Sequence, residues 1–130
     1  MLTQTRTGLF SENRAKVAAN LAEQLVRNKY VGQFRAVGPF ELRAMIDRIL
    51  DHYDKWSEGD QRQLASCLDF IEKICFALSI PLAETAYALY VLRDGIQAGL
   101  SSDMENDNAE AIRQVNSFFE GLFRDLLRRY

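Results

Sequence analysis

Apolar residues along this chain return every three or four positions, and stretches that alternate apolar and polar residues are nearly absent. That spacing lines apolar side chains along one face of an α-helix, whereas a half-buried strand needs a period of two. A first helix is predicted from about Ser11 to Tyr30, with Ser11 as N-cap and Val17, Leu21 and Leu25 as its stripe. A loop carrying Gly32, Phe34 and Gly38 follows. The second helix opens at Pro39 and ends near Tyr53, with Leu42, Ile46, Ile49, Leu50 and Tyr53 on one face. Proline suits a first helical turn, where its missing N–H would lack a partner anyway.

Ser57-Glu58-Gly59-Asp60 resembles a capping box with Asp in place of the usual Glu. It introduces a third helix, to about Leu78, whose apolar positions are Leu64, Cys67, Leu68, Ile71, Ile74, Cys75 and Leu78. Ser79-Ile80-Pro81 breaks that helix and starts a fourth, reaching Gly99 or Leu100. The fourth is apolar over much of its circumference, as expected of a helix central to the packing.

After the polar, acidic loop Ser101–Asn108, a fifth helix runs from about Asn108 to the end. Ile112, Val115, Phe119, Leu122 and Leu126 follow the 3-4-3-4 spacing of a short coiled-coil seam. Phe118, Phe123, Leu127 and Tyr130 add a second stripe. Two stripes fit two packing partners, the domain's own core and a second surface; a simply well-buried helix is the alternative. The expected fold is all-α, a single five-helix bundle forming one domain over residues 1–130.

Composition agrees with that expectation. The 130 residues are 48% hydrophobic and 26% charged, normal for a globular domain that needs neither metal nor disulfide. A net charge of -2 gives no overall basic footprint for nucleic acid. The opening Met1-Leu2-Thr3-Gln4-Thr5-Arg6 has no apolar signal-peptide core behind it, and no stretch approaches a membrane span, so a cytoplasmic location is expected.

Candidate chemistry is sparse. His52 is the one histidine, with no nucleophile motif to complete a triad; near a helix C-terminus it is expected to meet the helix dipole or solvent. Cys67 and Cys75 lack a C-x-x-C spacing and read as small core residues. No Glu-x-x-His pair marks a di-iron bundle, and haem would have only His52 as a histidine ligand. No catalytic residue, metal or cofactor is therefore assigned. Gly95 and Gly99 read as close-packing positions, and the cationic end, Arg124, Arg128 and Arg129, matches the helix macrodipole. Arg93 and Asp94 stand mid-way along the most apolar helix. They are either a buried pair fixing register at an interface or a solvated pair at a helix edge. Phe70, Phe76, Tyr87, Tyr90 and Phe118 either fill the core or line an apolar pocket for a small molecule.

The run Phe70-Ile71-Glu72-Lys73-Ile74-Cys75-Phe76-Ala77-Leu78-Ser79-Ile80-Pro81, its continuation through Ala86-Tyr87-Ala88-Leu89-Tyr90-Val91-Leu92-Arg93-Asp94, and the closing Val115-Asn116-Ser117-Phe118-Phe119-Glu120 with Arg129-Tyr130 carry a resemblance. Together they resemble the N-terminal domain of RsbT co-antagonist proteins of the RsbR/RsbRD type, which also stands at the front of bacterial histidine kinases. The resemblance covers roughly the third to fifth helices and rests on helical patterns. It implies a globin-like fold without haem, a homodimer, and a sensory role in signal transduction and stress response. In relatives the last helix leads into an output domain, a STAS domain or a kinase. Here the partner is expected to be a separate signalling protein or an output domain outside this chain. The double stripe of the fifth helix, the placement of Arg93 and Asp94 and this resemblance together make Arg93, Asp94, Ile112, Val115, Phe119, Leu122 and Leu126 the expected interface residues. Replacing Phe119 with Asp is expected to break such a dimer. A small-molecule-binding domain or a helical adaptor for another protein is the competing expectation.

Overall fold

The computed structural model describes residues 13–101 and 109–129; the predicted Ser11 cap, most of the acidic loop and Tyr130 lie outside them. The described residues form six helices: α1 (Arg14–Arg27), α2 (Gly32–Arg35), α3 (Pro39–Ser57), α4 (Arg62–Ala77), α5 (Leu82–Ser101) and α6 (Ala109–Arg129). The fold is all-α, with no strand among the described residues. No described helix is long and apolar enough to cross a membrane.

The five long helices close into a ring. α1 packs on α3, α3 on α4, α4 on α6, α6 on α5, and α5 back on α1. Each long helix thus buries one stripe between two neighbours, which is the 3.6-residue pattern of the sequence realised in space. The ring encloses one continuous core, in which Leu25, Leu42, Ile46, Leu50, Leu68, Leu92, Phe118 and Leu126 are essentially closed to solvent. Burial of each such side chain contributes about 1.5–3 kcal/mol. At one end Phe118 meets Tyr53 edge-on (ring centroids 5.4 Å apart) and Trp56 (5.3 Å). Trp56 explains why α3 continues a full turn past the predicted end at Tyr53.

The sixth helix, α2, stands where a loop was predicted. Phe34 is buried, and the first amides of the turn have a distant acceptor. The N–H groups of Gln33 and Phe34 donate to Glu84 Oε2 on α5, at 2.6 and 3.1 Å. A four-residue helix has too few internal bonds to stand alone, so it depends on that carboxylate.

The predicted capping box at Ser57–Asp60 is instead a helix stop. Asp60 N–H donates to Lys55 O and Gly59 N–H to Trp56 O, the paired bonds of a Schellman motif, with Gly59 at φ +114°. Ser57 Oγ donates back to Asp54 O and caps nothing ahead of it. Asp60 then accepts the Arg62 N–H at 3.1 Å and so serves the start of α4. The end of α4 repeats the device: Ile80 N–H bonds Cys75 O, Ser79 N–H bonds Phe76 O, and Ser79 takes the left-handed φ of +57°.

Charged side chains tie the ring outside the core. Arg14 on α1 reaches Asp47 (3.1 Å) and Asp51 (2.8 Å) on α3. Arg129, in the last turn of α6, reaches Asp69 (2.7 Å) and Glu72 (3.0 Å) on α4.

Candidate functional site

α6 settles which of its two stripes faces inward. Val115, Phe119, Leu122 and Leu126, four residues of the expected intermolecular seam, are buried in the chain's own core, together with Phe118. Phe119 is only 1% exposed. These four are therefore corrected from interface residues to core residues, because α4 and α5 already cover their face. Ile112, near the start of α6, is half-buried. Of the second stripe, Phe123 lies at the edge of α5 and Leu127 projects outward at 65% exposure.

Gly121, a position the sequence pattern did not single out, lets α6 approach α4: a Cβ there would sit 2.8 Å from Leu64 Cδ2. Gly95 does the same between α5 and α1, where a Cβ would meet Leu21 Cδ2 at 2.6 Å. Among the described residues nothing lies within 4 Å of where a Cβ on Gly99 would stand, unlike Gly95.

The unusual surface belongs to α5. Its residues Ala83, Tyr87, Tyr90, Asp94 and Ala98 face outward, and Asp94 alone among them is charged. Residues spaced this way share one helical face. Tyr90 is 46% exposed, yet its ring stacks on Phe123 of α6, with centroids 4.4 Å apart. The Arg93 guanidinium lies over Tyr90, 4.8 Å from the ring centroid, and 5.9 Å from that of Phe123. Its Nη2 is 3.4 Å from Asp94 Oδ1, while its buried Nε has no hydrogen-bond partner. Neither reading of the Arg93–Asp94 pair holds whole: Arg93 is folded onto rings at the α5–α6 edge, and Asp94 is 67% exposed.

On the other flank of α5, Tyr87 meets Tyr30 at 5.2 Å, and Lys29 lies 5.3 Å over the Tyr30 ring. Between α1 and α5 runs an open groove of about 600 Å³, bordered by Gln24, Asn28, Tyr87, Tyr90 and Asp94. The five aromatic residues expected to share a pocket do not. Phe118 is in the core, Phe70 packs near His52, Phe76 projects at 89% exposure, and only Tyr87 and Tyr90 border the same groove.

The reactive side chains are taken up by structure. His52 is buried, neither solvated nor at a helix end, and its Nδ1 is 2.7 Å from Gln63 Oε1. Gln63 Nε2 donates in turn to Asp60 Oδ2 at 3.0 Å, which orients its oxygen toward the imidazole and places the ring proton on Nδ1. Cys67 and Cys75 are free and buried. Burial pushes the Cys67 thiol up to about 12 and raises that of Cys75 as well, so neither is poised as a thiolate. Thr85 Oγ1, 3.1 Å from Cys75 Sγ, satisfies its donor in the core. Among the described residues no three His, Cys, Asp or Glu side chains are gathered as a metal ion would need. The chain matches no protein-family model, and neither curated proteins nor solved structures give a significant match.

Proposed function

We propose that this chain is a non-catalytic sensory or regulatory domain of the bacterial RsbT co-antagonist type, globin-like without haem, which signals by pairing with a second copy of itself. The observation that carries the reading is the outer face of α5. It presents two part-exposed tyrosines and small apolar residues, joined at one edge by Phe123 and Leu127 of α6. Large contiguous apolar surface on a soluble domain marks an interaction site. A second copy suits it because Asp94 on the face and Arg93 at its edge are opposite charges side by side. Twofold pairing brings each residue near its own symmetry mate and neighbours. Asp94, 67% exposed, is then available to a cation of the second copy. The seam expected from the sequence is replaced by this outer face.

The non-catalytic part of the reading draws support from the buried, hydrogen-bonded His52 and the raised thiols. Such a device works if two packings of α5 and α6 are close in energy and a signal favours one. Its downstream partner is a separate signalling protein or an output domain of the STAS or histidine-kinase class.

Light scattering on the purified chain across a range of concentrations tests the pairing. A mass of twice 14.9 kDa is expected for the wild type. Tyr90→Asp is expected to give a folded monomer, since the ring stands at the surface. A wild type that stays monomeric at every concentration overturns the proposal. A small-molecule-binding domain is the second reading, favoured by the groove between α1 and α5.

A further inference from the structure

The groove between α1 and α5 has a chemical bias. Its lining includes Tyr87 and Tyr90, the exposed Asp94 carboxylate, and the amides of Gln24 and Asn28 from α1. Among the described residues no Lys or Arg lines it. Its floor is set by the close approach of the two helices at Gly95, where a methyl group would strike Leu21 and Gln24.

The rings around it already act as cation platforms within the chain. Lys29 stands over Tyr30, and Arg93 stands over Tyr90. Among the described residues no cation lies over Tyr87, which sits between them. The nearest described partner of Asp94 is a single long contact with Arg93, leaving most of the carboxylate in water. An aromatic face and a carboxylate with spare capacity, on one helix face, suit an ammonium group and its alkyl body. Tyr87 and Asp94 are seven residues apart, so a ligand reaching from one to the other spans about 10 Å along the axis.

We infer that this groove binds an elongated organic cation, an alkyl diamine by chemical class, with one ammonium on Asp94 and the other over Tyr87. The inference rests on the sensory reading above and names the ligand class that would supply the signal. The groove shares Tyr87, Tyr90 and Asp94 with the α5 face proposed for pairing. Occupancy and pairing would thus bias one another reciprocally.

The test is a chemical-shift titration of the whole chain with 1,8-diaminooctane, matched by octanoate, which has a similar alkyl body and the opposite charge. The diamine is expected to shift the amides of Asn28, Tyr87, Asp94 and Gly95, with saturation at or below about 1 mM. Octanoate is expected to leave them in place. Asp94→Asn and Tyr87→Ala should each weaken the diamine by about two- to fivefold, as loss of one exposed ion pair or ring contact predicts. Both side chains are at the surface, and a thermal melt checks that the variants fold. Equal binding of octanoate, undiminished binding by Asp94→Asn, or shifts away from the groove would each overturn the inference. Light scattering at every titration point separates the two proposals. Diamine binding to a permanent monomer removes the pairing and leaves the groove; a dimer indifferent to diamine does the reverse.

Discussion

Truncating Phe119 to Ala separates a core residue from an interface residue in one measurement. Phe119 is 1% exposed and stands edge-on to Phe118, with ring centroids 5.7 Å apart. Phe118 in turn supports Tyr53 and Trp56. Removing a buried ring in such a setting costs about 3–5 kcal/mol, the aromatic contact contributing about a quarter of it. A domain of this size is stable by about 5–15 kcal/mol in all, so the loss is a large share. With a urea slope of roughly 1.5–2 kcal/mol per molar, the unfolding midpoint of Phe119→Ala should fall by about 2–3 M. Leu127→Ala, at an exposed position of the same helix, should move it by less than the equivalent of about 0.5 kcal/mol. Circular dichroism in urea reads both, and light scattering in native buffer reads pairing. The expected outcome is that Phe119→Asp unfolds the chain rather than dissociating a dimer. A Phe119→Ala protein that keeps its stability within about 1 kcal/mol of wild type would refute the burial argument.

Three further outcomes follow from local geometry. Ser79→Gly should raise stability by up to about 1 kcal/mol, since Ser79 holds a left-handed φ that glycine adopts freely; an unchanged or lower melting temperature would count against strain there. Hydrogen bonds from Arg62 and then Gln63 hold the Asp60 carboxyl down to about 2, against 3.8 ordinarily, so the folded state takes up its proton less readily than the unfolded one. That contribution is present above about pH 4 and lost as pH falls toward 2, and Asp60→Asn should flatten the corresponding slope in acid titrations of stability. Cys67 and Cys75 should resist iodoacetamide at pH 8 in native buffer and react fully in urea; rapid native labelling would contradict their burial.

Helix type and order were legible because long amphipathic stretches encode them directly: Leu64, Cys67, Leu68, Ile71 and Cys75 read as one face of α4, and all five lie within or against the core. Pro39 marked the start of α3 for the same local reason. Where the reading failed, the deciding contact came from elsewhere in the chain. α2 depends on Glu84, 51 residues from Gln33, and no local pattern announces a cap at that distance. Gly59 sits in a run that resembles a start signal, yet its positive φ makes it a stop. The candidate site suffered most. A heptad seam on α6 looks the same whether its partner is another chain or α4 and α5, so Val115, Phe119, Leu122 and Leu126 went to the wrong side. The clue to the outer face was instead the shortage of charge along α5, where Glu84, Arg93 and Asp94 are the charged residues in twenty.

The carboxylate that serves α2 also fixes an order of assembly. Gln33 and Phe34 leave the ribosome about 50 residues ahead of Glu84, a lag of roughly 3–10 s at ordinary rates of synthesis. During that interval α1 and α3 can pair and Phe34 N–H can bond Val31 O, but the bonds from the Gln33 and Phe34 amides to Glu84 cannot form. The turn at 32–35 therefore gains its cap only when α5 arrives. It should also be the first to surrender its amide protons when α5 lifts away, which makes it an internal reporter of whether the ring is shut.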